Sequence, residues 1–219
     1  ALTIIRDQKT SNTYLKDTIN VLKAVAKSPY VVGCDFIGEE INDITELKPV
    51  IDRIVQYVES EDKDYTIRIH AGENDSLKDN VENSIKCVKE SLKPGQVMPR
   101  VRIGHGLYGV DDETLKLAQE MSAIIEFNMS SNLALNNING ISEVPIKKYL
   151  ESGVQVVLGT DGHGLYSTCG EQEVVLAVAA GLEKEDFFKM PEQIRAMLQN
   201  ERDKQNAEKQ IETTSEIVE

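Results

Sequence analysis

Six short runs of branched and apolar residues recur along the chain, each followed by a segment with helical spacing. The runs cover residues 2–6, 30–36, 66–70, 100–103, 123–128 and 155–158. The helical segments are read at about 12–27, 44–58, 75–92, 112–121, 145–150, 170–180 and 184–189, with another from Pro191 onwards. Leu15, Ile19, Leu22 and Val25 line one face of the first, which Ser11 or Asn12 can cap. Strands that alternate with helices need crossover connections, and crossovers make a parallel sheet. The pattern therefore predicts an α/β chain of six parallel strands.

What those strands end in narrows the reading. The chain has only 3 histidines, and all lie at or just past strand ends. One run closes in His70-Ala-Gly-Glu73, another in Gly104-His105-Gly106, and the last in Gly159-Thr-Asp161-Gly-His163. In a parallel barrel the C-terminal strand ends converge on one mouth. His70, Glu73, His105 and Asp161 would then reach one ion and one substrate. Each residue alone has a plainer role. A strand-end histidine is often a hydrogen-bonded packing residue, and an aspartate before glycine suits a turn or a helix cap. Asp35 and Glu39 can be read as pocket groups, but a turn and helix start suits them better. Ser130-Ser-Asn132 reads equally as pocket wall or ordinary loop, and Cys169 has no base near it in sequence.

Composition removes other classes. There are 37 acidic against 24 basic residues, a formal net charge of -13. Nucleic-acid backbones and anionic membranes want a basic partner, so neither is expected. No apolar run approaches a membrane span, and no signal-peptide pattern opens the chain. The 3 cysteines, Cys34, Cys87 and Cys169, are odd in number and form no Cys-x-x-Cys pair. Reduced thiols in a cytoplasmic protein fit that count. The start at Ala1, directly before strand-like residues, reads as a processing site or artificial boundary. Residues 200–219 are highly charged with few apolar residues, so 1–199 is read as one barrel domain and 200–219 as a charged tail.

Taken in order, His70-Ala-Gly-Glu73, Ile103-Gly-His105-Gly106, Ser130-Ser131-Asn132 and Gly159-Thr-Asp161 resemble the adenosine deaminase family of the amidohydrolase superfamily. The segment Val31-Val-Gly-Cys-Asp35-Phe-Ile-Gly38-Glu39-Glu40 resembles that family's strand end with a substrate-facing glycine. The resemblance implies a zinc-dependent (β/α)8 TIM-type barrel, here incomplete, with six strands that correspond to the third through eighth. It implies that His70 and Asp161 are zinc ligands. Glu73 would be the protonated acid that donates to purine N1, and His105 would orient and help deprotonate the metal-bound water. The backbone N–H of Gly38 would touch the purine. The implied partner is a small purine nucleoside, deaminated with release of ammonia. That chemistry needs an acidified water, a carboxyl kept neutral beside the ring, and a base.

Two departures stand out. The family's first strand carries a His-x-His that supplies two more ligands, and this sequence has none. With two ligand positions, where catalytic zinc sites use three, the chain is expected to bind zinc weakly and to turn over little by itself. Where the family has a second aspartate, Gly162 and His163 follow Asp161. His163 would substitute in the ring contact, or it packs in its loop. The competing reading is a non-catalytic, barrel-derived module that binds a nucleoside or protein partner. A phosphate-binding barrel enzyme ranks last, because no Gly-rich phosphate loop with a basic partner is present. Open sheet edges, with Ile4, Val156 and Leu158 read as barrel-interior residues, predict self-association.

Overall fold

The computed structural model describes residues 2–5, 12–25, 28, 30–60, 65–187 and 190. Six strands form one sheet in sequence order, every neighbouring pair parallel. They are β1 (Leu2–Ile5), β2 (Gly33–Ile37), β3 (Thr66–Ala71), β4 (Arg100–His105), β5 (Ile124–Phe127) and β6 (Gln155–Leu158). The helices are α1 (Asn12–Val25), α2 (Lys48–Ser60), α3 (Asn80–Glu90), α4 (Asp112–Glu120), α5 (Met129–Ala134), α6 (Ile146–Glu151), α7 (His163–Tyr166) and α8 (Gly170–Ala179). Among the described residues β1 and β6 are the sheet's two edges. This is the parallel six-strand α/β sheet that the alternation predicts and the incomplete barrel that the resemblance implies.

Register separates the sheet into two unlike faces. On one, Ile4 pairs with Phe36, Ile69 with Ile103, and Ile125 with Val156. All six are fully buried. Helices cover this face, with α3 against β3 and β4, and α6 and α8 against β6. On the other face Asp35 pairs with Arg68, and Arg68 with Arg102. Glu126 shares that face across Gly104. Here the expectation for Ile4 and Val156 is corrected: both lie under the helices, and so does the register position of Leu158, opposite Phe127. Side chains alternate along a strand, so the parity that turns His70 and Arg68 inward turns these residues outward.

Some boundaries also move. The helix expected at 75–92 begins only at Asn80, because 72–79 form the loop that presents Glu73. The strand expected from Tyr30 begins at Gly33, and Tyr30 and Val32 are exposed. A side chain at Gly33 would press on the Thr66 carbonyl, so glycine lets these strands meet. Helix α5 was not anticipated; its first N–H groups, on Met129 and Ser130, donate to the buried Glu173 carboxylate of α8 at 2.9 and 3.2 Å. Backbone contacts divide the chain into one compact unit at Ala1–Gly181 and another at Leu182–Glu219. In the latter, residues 184–187 are helical. The cap at Ser11, the helix expected beyond Pro191 and the tail at 200–219 lie outside the described residues. No described helix is long and apolar enough to cross a membrane.

Candidate active site

Strand β3 delivers His70, and the chain then turns sharply at Gly72, whose φ is +70°. A side chain there would strike Val81 and the Tyr108 carbonyl. Beyond the turn, Glu73 reaches back towards the sheet. Its backbone is held by Glu40, a carboxylate only 2% exposed on the loop after β2. Glu40 accepts from the N–H groups of Gly72 and Glu73, each at 2.5 Å, and of Asn74 at 3.1 Å. It also accepts from the Asn80 side chain at 3.2 Å. Three successive N–H groups on one carboxylate leave the loop little freedom.

Strand β4 ends in His105, fully buried, with φ at 75°. Asp161, just past β6, has φ at 51°. Such left-handed conformations cost non-glycine residues about 1–3 kcal/mol each and persist only where the surroundings enforce them. Around His105 the enforcement is visible. Its Nδ1 lies 2.9 Å from Asn132 Oδ1, and its Nε2 lies 3.2 Å from His70 Nδ1 and 3.8 Å from Glu73 Oε2. The two imidazole centroids are 5.1 Å apart.

On its other side His70 Nε2 lies 2.7 Å from Arg68 Nη1 and 3.3 Å from Asp35 Oδ1. A guanidinium can only donate, so Nε2 accepts. In the neutral ring Nδ1 then carries the hydrogen and donates to His105 Nε2, and His105 Nδ1–H donates to Asn132. The hydrogens thus run in one direction, from Arg68 through both histidines. Arg68 also donates to Asp35 at 2.6 Å and to Glu126 at 2.7 Å, and Arg102 binds the second Glu126 oxygen.

Electrostatics sort the groups. Burial pulls the His105 pKa down; Glu73 and Asp161 oppose this and His70 adds to it, and the net shift is downward. His105 is therefore a neutral base near pH 7. For Asp35, burial acts upward, but the neighbouring His70 ring and the Arg68 charge outweigh it and leave the carboxyl below its usual range.

Of the residues singled out from sequence, the fold brings His70, Glu73 and His105 together, with ligand atoms within 4.8 Å of one another. Asp161 is not part of that cluster; it acts on His105 only as a charge that opposes the lowering of its pKa. Gly38 follows β2, is exposed and has φ at 124°. His163 opens α7, is exposed, and donates from Nδ1 to the Thr168 carbonyl within its own loop. Glu40, Arg68, Glu126 and Asn137 were not foreseen. The Asn137 amide donates to Glu73 Oε1 at 3.4 Å. Two imidazoles and one carboxylate at that spacing are donors that zinc accepts.

This mouth carries the motif set of a known family, and residues 2–213 match its model, described as adenosine deaminase. The chain belongs to the adenosine deaminase family. It is 34% identical over 161 residues to an adenosine deaminase of Plasmodium gallinaceum, across 73% of this chain and 40% of that protein. To an adenine deaminase of Rhizobium etli it is 27% identical over 158 residues, across 72% of this chain and 44% of the relative. The apo structure of an N6-methyl-AMP deaminase from Arabidopsis thaliana superposes with a TM-score of 0.65 at 24% identity, over 86% of this chain and 50% of that one. The chain thus spans about half the length, or less, of the adenosine deaminase family members it matches.

Proposed function

We propose that the whole protein is a purine aminohydrolase that replaces the 6-amino group of adenosine or a related purine by hydroxyl and releases ammonia. One observation carries the reading: Glu73 and His105, from the ends of two adjacent strands, meet at 3.8 Å beside His70 at the mouth of a family-type sheet. The printed activities of relatives support a purine substrate, since they include adenosine, adenine and N6-methyl-AMP deaminases.

In this reading Glu73 is the acid. It delivers a proton to the purine ring nitrogen N1 as the C6 carbon is attacked, and the Glu40 clamp fixes where that proton is offered. His105, neutral and backed by Asn132, takes the proton from the attacking water. The N–H of Gly38 positions the ring. His70 and Asp161 would hold zinc, which when bound supplies a water acidified to near-neutral pKa. This chain by itself is proposed to turn over little.

Ammonia release from adenosine, adenine and AMP, measured on the whole protein, tests the reading. Glu73→Gln keeps the shape of the side chain but carries no transferable carboxyl proton. A loss in kcat of about 100- to 10,000-fold is expected, the range for general acid catalysis. A loss below about threefold would remove Glu73 from the acid role, and no deamination of any of the three would remove the reaction.

A further inference from the structure

Helix α5 ends in a turn that joins two asparagines. Asn136 has φ at 56°, and its N–H donates to the Leu133 carbonyl at 3.1 Å. The next N–H, on Asn137, reaches back to the Asn132 carbonyl at 2.9 Å. This is a Schellman close, with asparagine in the left-handed position where glycine is usual. Asn132 and Asn137 are thus bonded backbone to backbone, and their side chains serve different partners. The Asn132 side chain accepts from His105 Nδ1 at 2.9 Å. The half-buried Asn137 donates from its amide to Glu73 Oε1 at 3.4 Å. Tyr108 ties this turn to the Glu73 loop. Its hydroxyl donates to the Asn137 carbonyl at 2.6 Å, and its N–H donates to the Gly72 carbonyl at 3.1 Å.

We propose, resting on the purine reading above, that Asn137 is a positioning residue for the acid: its amide holds Oε1 of Glu73 and leaves the transferable proton on Oε2. An amide N–H can only donate, and a protonated carboxyl carries its hydrogen on one oxygen. The other, carbonyl oxygen is the better acceptor, so the amide selects Oε1 as carbonyl and Oε2 as hydroxyl. Oε2 is the oxygen that lies 3.8 Å from His105 Nε2. The proton is therefore offered on the side where His105 takes one from the attacking water. Glu40 and Asn137 divide the task. Glu40 fixes the backbone of the Glu73 loop, and Asn137 fixes the rotation of the carboxyl. The 3.4 Å contact is a long hydrogen bond, and catalytic hydrogen bonds commonly tighten once substrate is bound. Because Asn132 and Asn137 share one turn, a single element sets the spacing of acid and base.

The test measures kcat and KM of the whole protein for Asn137→Leu, which keeps the volume and drops the amide, alone and combined with Glu73→Gln. In the parent, kcat should fall about tenfold, the scale of one hydrogen bond, with KM changed less than about twofold. In the Glu73→Gln background the same substitution should cost less than about twofold, because the proton it positions is already gone. A merely structural asparagine would cost as much in both backgrounds. Circular dichroism checks each variant. Should Asn137→Leu fail to fold, Tyr108→Phe, which releases the Asn137 carbonyl, decides in the same two backgrounds. Magnetic resonance of the Asn137 side-chain amide separates failure of the proposal from failure of the reading. It should shift in Glu73→Gln. A shifted amide in a protein that deaminates none of adenosine, adenine and AMP overturns the purine reading and leaves the hold on Glu73 standing. An unshifted amide, a loss in kcat below about twofold, or equal losses in both backgrounds overturns the proposal.

Discussion

The two faces of the sheet are built on opposite principles. Under the helices, Ile4, Phe36, Ile69, Ile103, Ile125 and Val156 form a dry apolar layer. On the other face, one pleat away, Asp35, Arg68, Glu126 and Arg102 hold one another by charge. Interiors of such barrels are commonly filled by branched apolar side chains. Here the layer beneath the mouth is ionic, and its top member is the bond from Arg68 to His70. The apolar face determines that the sheet forms. The charged face determines which way the imidazoles point.

That contrast predicts different responses to truncation. The largest effect belongs to the apolar face. Ile69, fully buried between β2 and β4, should cost about 2–5 kcal/mol of unfolding free energy as Ile69→Ala, because neighbours cannot collapse into the space. Urea denaturation checks it; a cost under about 1 kcal/mol would mean that this face is not the close-packed one.

The charged face should behave non-additively. Glu126→Leu takes from Arg102 its Glu126 pair and from Arg68 one of its two carboxylates, Asp35 being kept, and a loss of about 1–3 kcal/mol is expected. Adding Arg102→Leu, with Arg68 left on Asp35, should recover most of it, since paired charges replaced together by apolar groups are often neutral. Additive losses in that double variant would break the comparison.

The smallest expected effect lies in the helical layer. Asp111 caps α4, its carboxylate accepting from Thr114 N–H at 2.7 Å. Asp111→Ala should cost about 1 kcal/mol at neutral pH. The backbone hydrogen bond from Thr114 leads the causes that hold the Asp111 pKa below its usual value. A depressed folded pKa means stability that is present above the unfolded pKa and lost as pH falls through the folded one. The difference between variant and parent should therefore hold above about pH 4 and shrink below it. A difference that stays constant down to acid pH would assign the cost to helix propensity instead.

Much of this was legible in the chain, for reasons that differ by face. The strand count and order follow from apolar runs with helices between them. The convergence of His70, Glu73 and His105 follows because parallel strands share one C-terminal edge. The inner face was missed, although alternation in Thr66-Ile-Arg68-Ile-His70 already turns Arg68 to the side of His70. Counting apolar residues as interior hid that signal and misplaced Ile4 and Val156. Glu40 was less accessible. Its role lies in donors 32 to 34 residues away on another loop, and no local spacing encodes such a bond. His163 is the opposite case: its partner, Thr168, is 5 residues on, within one turn of chain.

The Glu40 clamp has a consequence for the order of assembly. The carboxylate belongs to the unit built on β2, and the N–H groups it secures belong to the unit built on β3. The position of Glu73 is thus information shared by two successive units and contained in neither. During folding or synthesis the β3 loop can be complete in sequence and still lack its final course until the neighbouring strand docks. The final course of the Glu73 loop is therefore a property of two strands in register, and it is lost when they separate.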